Sequence, residues 1–204
     1  MKAMKKVYDF LFLLPIFLLI LSCNNEEDTG MPKPRTYPRV DFPQKTYKTF
    51  TSEDCNFQFE YPSYAKIEKE TKFLKGETPN DCWYNIIIPQ FHGQIYLTYY
   101  PINSQKDFDK YIVNSFELTA AHDIKANSRK EIRIKNKFNT SGILFKVKGN
   151  VASQTQFLLT DTSSNFIRGS LYFNNKVNVD SMRIIQDFID KDVEHLINTF
   201  KWIN

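Results

Sequence analysis

This sequence predicts an α+β domain, a largely antiparallel sheet with packed helices, and three features carry that reading. Short runs with strand-like alternation follow one another through local reversals, so neighbouring strands pair antiparallel. A single capped amphipathic segment interrupts them in the middle of the chain. A long apolar stripe at helical spacing closes it and needs a sheet to cover.

The elements follow in order. Phe57-Gln58-Phe59-Glu60-Tyr61 alternates with period two and stops at Pro62. Trp83 to Ile88 and Gln94 to Tyr100 flank Pro89-Gln90-Phe91-His92-Gly93, five residues rich in turn formers, which predicts a hairpin. Ser104 stands three residues before Asp107, a capping-box-like start, and Phe108, Tyr111, Ile112, Ser115, Phe116 and Thr119 recur at helical spacing, predicting a helix from Gln105 to Ala121. Strands are expected over 131–135, 142–148, 154–160 and 166–173, the last two joined through Asp161-Thr162-Ser163-Ser164-Asn165. The final helix carries Met182, Ile185, Phe188, Ile189, Val193, Leu196, Ile197 and Phe200 on one face, with Asp180 and Ser181 as its cap. This order of elements is similar to the Mog1/PsbP-like fold.

The opening residues have a different character. Lys2, Lys5 and Lys6 precede twelve apolar positions, Phe10 to Leu21, and then Ser22-Cys23. A spanning helix needs roughly 20 apolar residues, so this is a signal peptide over 1–22. A cysteine preceded by a small residue and aliphatic side chains resembles the lipobox of bacterial lipoproteins, which makes Cys23 the expected lipidation site and the contact with the bilayer. Removal of 22 of the 204 residues leaves 182, enough for one domain with a tether. The tether is expected over 23–50 and the domain over 51–204, because Pro32, Pro34, Pro38 and Pro43 favour extended backbone without a core of its own. Lys33, Arg35, Arg39, Lys45 and Lys48 alternate there with Tyr37, Val40, Phe42 and Tyr47, a segment suited to packing on something. The acidic run Glu26-Glu27-Asp28 resembles the surface-export signal of some Bacteroidota lipoproteins; the alternative is a solvated linker.

Charge excludes one class of partner. The formal charge of +4 falls to +2 once three lysines and Asp9 leave with the signal, too little to drive binding to nucleic acid. Setting Cys23 aside leaves Cys55 and Cys82, an even pair in a secreted chain. It reads as a disulfide; the alternatives are a metal pair, which lacks companion ligands at suitable spacing, and two inert thiols.

Residues for catalysis are sparse. His92, His122 and His195 are the three histidines, the first in a hairpin loop, the second closing the middle helix, where an imidazolium would suit the orphan carbonyls, and the third on the last helix. The sequence has no Gly-rich phosphate loop, nucleophile elbow, H-E-x-x-H or C-x-x-C, so no catalytic, cofactor-binding or metal residue is assigned. Asp187 and Asp190 read as a pair on a solvated helix face. Aromatic residues are abundant at 15 per cent, and in Tyr96-Leu97-Thr98-Tyr99-Tyr100 adjacent rings must point to opposite faces of a strand, so some lie outside the core unless a helix covers them.

Several of these segments resemble the gliding-motility lipoprotein GldD family of the Bacteroidota. They are Pro32-Lys33-Pro34-Arg35 with Tyr37 and Arg39, Phe57 to Ala65, Cys82-Trp83-Tyr84-Asn85-Ile86, Gly149 to Ser153, Phe157 to Asp161, Arg168 to Asn174, and His195 to Trp202. Thr36 departs from the pattern, which has glycine there. The resemblance implies a non-enzymatic component or assembly factor of gliding motility and type IX secretion that works with other envelope proteins of that machinery; the alternative, read from the aromatic residues, is an envelope lipoprotein that binds a small ligand or glycan through an aromatic surface. The anchor would place it in the outer membrane facing the periplasm, or alternatively on the cell surface. Arg35, Tyr37 and Arg39, close together on a proline-stiffened segment, are the expected partner contact.

Overall fold

The computed structural model describes residues 39–52, 54–70, 81–174 and 179–203, and of 179–181 the backbone alone. The compact unit begins at Asp41, so residues 41–50 belong with the domain. It is α+β, with two antiparallel sheets and two long helices. Strands β1 (Tyr47–Ser52), β2 (Phe57–Pro62) and β10 (Lys201–Trp202) form a three-stranded sheet in the order β1-β2-β10. The larger sheet takes β3 (Lys66–Lys69), β4 (Tyr84–Ile88), β5 (Gly93–Pro101), β6 (Ala126–Lys135), β7 (Ser141–Gly149), β8 (Thr155–Thr160) and β9 (Asn165–Phe173) in the order β3-β4-β5-β9-β8-β7-β6.

Every expected strand is present, and the predicted turns make the predicted reversals. Helix α1 (Gln105–Ala120) starts where the capping residues place it: the Ser104 hydroxyl accepts the Asp107 backbone N–H at 3.2 Å. Helix α2 (Val179–Thr199) ends at a two-residue strand, β10, which pairs Lys201 with Gln58 and Trp202 with Phe57.

Alternation divides the large sheet into two faces with different covers. On one face Tyr84, Ile86 and Ile88 of β4, Ile95 and Leu97 of β5 and Ile167 and Leu171 of β9 meet the small sheet and α2. The seam is aromatic: Phe57 packs against Phe59, Tyr84, Tyr99, Phe200 and Trp202 with ring centroids 5.8 to 6.4 Å apart. Ile189, Val193, Leu196, Ile197 and Phe200 of the closing stripe are all buried here. On the other face α1 lays Tyr111, Ile112 and Phe116 over Phe145, Leu158 and Phe166. Gly169 is required between the layers, because a Cβ there would lie 2.1 Å from the Phe157 ring.

Cys55 and Cys82 form a disulfide, Cα to Cα 5.6 Å, which ties β2 to β4 across the two sheets. With the partners 27 positions apart in sequence, closing that loop contributes about 3 kcal/mol.

The β8–β9 turn is held by one carboxylate. Asp161 Oδ1 accepts the backbone N–H groups of Ser163, Ser164 and Asn165 at 2.8 to 2.9 Å, and Oδ2 accepts from Asn165 Nδ2 at 2.6 Å. Burial acts to raise the Asp161 pKa, and the hydrogen bonds outweigh it, holding the carboxyl below its ordinary value. A depressed folded pKa stabilises the fold above the unfolded carboxyl's titration, and the contribution disappears as pH falls through the folded value. Asp161→Ala is therefore expected to lower stability by about 2 kcal/mol at neutral pH. In urea melts recorded down the acid range, the gap from the parent protein should close.

Candidate functional site

The densest group of titratable side chains surrounds Asp192, a residue that sequence reasoning passed over because an acid on a helix reads as solvated. Its neighbour Val193 is fully buried, and Asp192 itself is 2 % exposed. Its Oδ1 accepts from Lys45 Nζ at 2.6 Å and from the Tyr47 hydroxyl at 2.9 Å, and its Oδ2 accepts from the Tyr64 hydroxyl. Lys45 Nζ also donates to the Phe188 carbonyl at 2.9 Å and sits 3.7 Å above the Phe188 ring. Tyr47 stacks on His195 with centroids 3.6 Å apart, and His195 Nε2 lies 2.6 Å from Glu60 Oε2.

This arrangement holds the chain together. Burial first, and then the hydrogen bond to Asp192, raises the pKa of both Tyr47 and Tyr64 beyond the ordinary tyrosine value, so both stay protonated donors. Lys45 and Tyr47, together with Phe42 stacked on Phe188 at 4.5 Å, fasten the segment leading into β1 onto α2. That is the packing its alternating basic and aromatic residues favoured.

The other histidines are also separate from one another. His92 occupies the left-handed region at φ 49° in the β4–β5 turn, and its carbonyl accepts the Asn174 N–H at 2.9 Å. His122 follows α1 as expected, but burial and then the neighbouring Arg168 lower its pKa, which favours the neutral imidazole over the imidazolium expected at a helix end. Asp187 is exposed, whereas Asp190 is engaged by Lys146 at 2.8 Å, Thr155 at 2.6 Å and Gln186 at 2.8 Å, so the two are not a solvated pair. Among the described residues no group of His, Cys, Asp or Glu is arranged to hold a metal ion, and no helix is long and apolar enough to cross a membrane.

The tyrosines of β5 divide as their alternation requires. Tyr99 enters the seam between the sheets, 6.2 Å from Phe57, while Tyr96 and Tyr100 lie on the face of α1 and line a cleft beside it. Of the expected partner contact, Arg39 is exposed, and Arg35 and Tyr37 lie outside the described residues, as does Cys23.

A solved structure that the chain resembles is the solution structure of cyanobacterial PsbP (CyanoP) from Synechocystis, at 10% identity and a TM-score of 0.43, covering 80% of this chain and 96% of that one. No curated protein matches. The family model described as gliding motility lipoprotein GldD matches residues 27–202, most of the chain. The chain belongs to the gliding motility lipoprotein GldD family.

Proposed function

We propose that this lipoprotein is a non-enzymatic, lipid-anchored component or assembly factor of the gliding motility and type IX secretion machinery, acting through protein contacts. The family match over residues 27–202 carries the reading. The binding character is supported by the state of the titratable groups: the cluster around Asp192 is spent on fastening the leading segment to α2. In this reading residues 1–22 are removed, Cys23 is acylated, and several buried acyl chains at about 0.8 kcal/mol per methylene hold the protein in the outer membrane facing the periplasm. The segment from Cys23 to the folded unit at Asp41 is the tether, and it offers Arg35, Tyr37 and Arg39 to other envelope proteins of the machinery.

The test replaces Arg35, Tyr37 and Arg39 together by alanine in the chromosomal copy. Lipidation and melting should stay normal while colony spreading and secretion fall, because binding energy concentrates in a few Arg and Tyr anchors. Normal gliding from the triple variant would remove the tether from the interface. Loss of gliding from a well-folded single alanine variant at His92, His122 or His195 would replace binding with chemistry.

A further inference from the structure

Helix α1 covers only part of its sheet face. It sits over β7, β8 and β9 and reaches β5 only at Tyr100, on which Tyr111 stacks at 4.8 Å, and beside it runs a cleft of about 700 Å³. Tyr96, Thr98 and Arg168 line its sheet side, Lys110 and Asn114 its helix side, and Trp83 and Glu70 its far end, where the Glu70 carboxylate accepts from Asn85 Nδ2 at 2.7 Å. That volume suits a small ligand.

The sheet surface here is not what folding alone would select. Register places Asn85, Tyr96, Ser170 and Gln156 in one row across β4, β5, β9 and β8, and Thr98 beside Arg168 in the next. Asn85, Ser170 and Gln156 are 7, 2 and 1 % exposed, yet Asn85 Oδ1, Ser170 Oγ and Gln156 Nε2 have no hydrogen-bond partner among the described residues. Buried polar atoms without partners are rare in folded proteins, and three in the row that carries Tyr96 call for a reason.

Arg168 lies in the adjacent row. Its guanidinium donates to Gln156 Oε1, which also accepts from Thr119 at 3.3 Å, and no carboxylate of the described residues pairs with it. Burial lowers its pKa, the mark of a cation short of compensation. A planar guanidinium without a carboxylate partner among the described residues matches one on a ligand, and the cleft holds Lys110 as a second positive charge against the single negative charge of Glu70. Tyr96 is 37 % exposed beside it, an aromatic surface that gives a ring a flat partner. Cation, aromatic face and the Thr98 hydroxyl and Asn114 amide of the cleft together fit a hydroxylated ring bearing one carboxylate. A purely aromatic acid would leave the amides and hydroxyls unmatched, and a neutral sugar would leave Arg168 unmatched.

We propose that the cleft between α1 and strands β5 and β9 binds an acidic sugar residue, its carboxylate on Arg168 and its ring on Tyr96. This site is independent of the motility reading. The test titrates the full lipidated protein in detergent with glucuronate, glucose and 4-hydroxybenzoate, followed by saturation-transfer NMR and calorimetry. Glucuronate should bind at least about tenfold more tightly than glucose, and Arg168→Gln and Tyr96→Ala should each weaken it by about tenfold or more. The partly exposed Tyr96 position keeps the test valid if the Arg168 variant fails to fold. The proposal is overturned if glucuronate does not bind, if glucose binds equally well, if 4-hydroxybenzoate is the better ligand, or if a folded Tyr96→Ala protein binds glucuronate unchanged.

Discussion

Leu196→Asp is expected to destabilise the domain by about 5 kcal/mol. Leu196 is 1 % exposed on α2, with Val193, Ile197 and Phe200 equally enclosed around it, and the aromatic seam of Phe57, Phe59 and Phe200 covers the same layer. Truncating a buried leucine alone costs about 2–5 kcal/mol through lost contacts and the cavity left behind. A carboxylate adds its desolvation in this apolar layer, so it would have to take up a proton or drag water into the core. Leu196→Ala separates the two contributions: it should fall between the parent protein and Leu196→Asp in a denaturant titration. Unchanged melting of the aspartate variant would mean that α2 is peripheral to the fold.

Asp192→Ala is expected to cost about 4 kcal/mol, for a different reason. Removing one member of a buried charge pair leaves its partner uncompensated, and here Lys45 is only 26 % exposed at the side chain. Two tyrosine hydroxyls lose their acceptor with it, each with a desolvation penalty of its own. Because Lys45, Tyr47 and Phe42 fasten the leading segment to α2, the loss should be local before it is global. Limited proteolysis should cut the variant ahead of β1 while the large sheet persists. Asp192→Asn, which keeps an acceptor oxygen and the volume, should lose less. Equal melting of Asp192→Ala and the parent protein would show that the clamp contributes nothing to holding α2.

The sequence revealed those parts of the fold whose causes are local. The β4–β5 and β8–β9 hairpins follow from alternation and turn residues, α1 from Ser104 and Asp107 with its apolar spacing, and α2 from a stripe of eight apolar positions. The three-stranded sheet was hidden because its members pair across the whole chain: Trp202 meets Phe57, and no local pattern announces a two-residue strand. Strand β1 was hidden for another reason. Tyr47–Ser52 is mostly exposed and carries lysine and threonines, so its pairing with β2 supplies the order that its own pattern lacks. The cluster around Asp192 escaped notice because charge on a helix is normally solvated. The available signal was Asp192 falling among Phe188, Ile189, Leu196 and Ile197 of the apolar stripe. Arg168 left a similar trace, a lone cation inside Phe166-Ile167-Arg168-Gly169-Ser170-Leu171, where a strand buried on both faces should be apolar.

The anchor remains the feature on which the functional reading turns, since it decides whether the domain works at a membrane. Cys23→Ser removes the thiol proposed to be acylated and leaves Cys55, Cys82 and the folded unit from Asp41 unaltered in sequence. In a deletion strain complemented with this variant, colony spreading should stay lost, palmitate labelling of the protein should be absent, and the domain should melt as the parent does. A strain that spreads normally on the unlipidated variant would contradict the account.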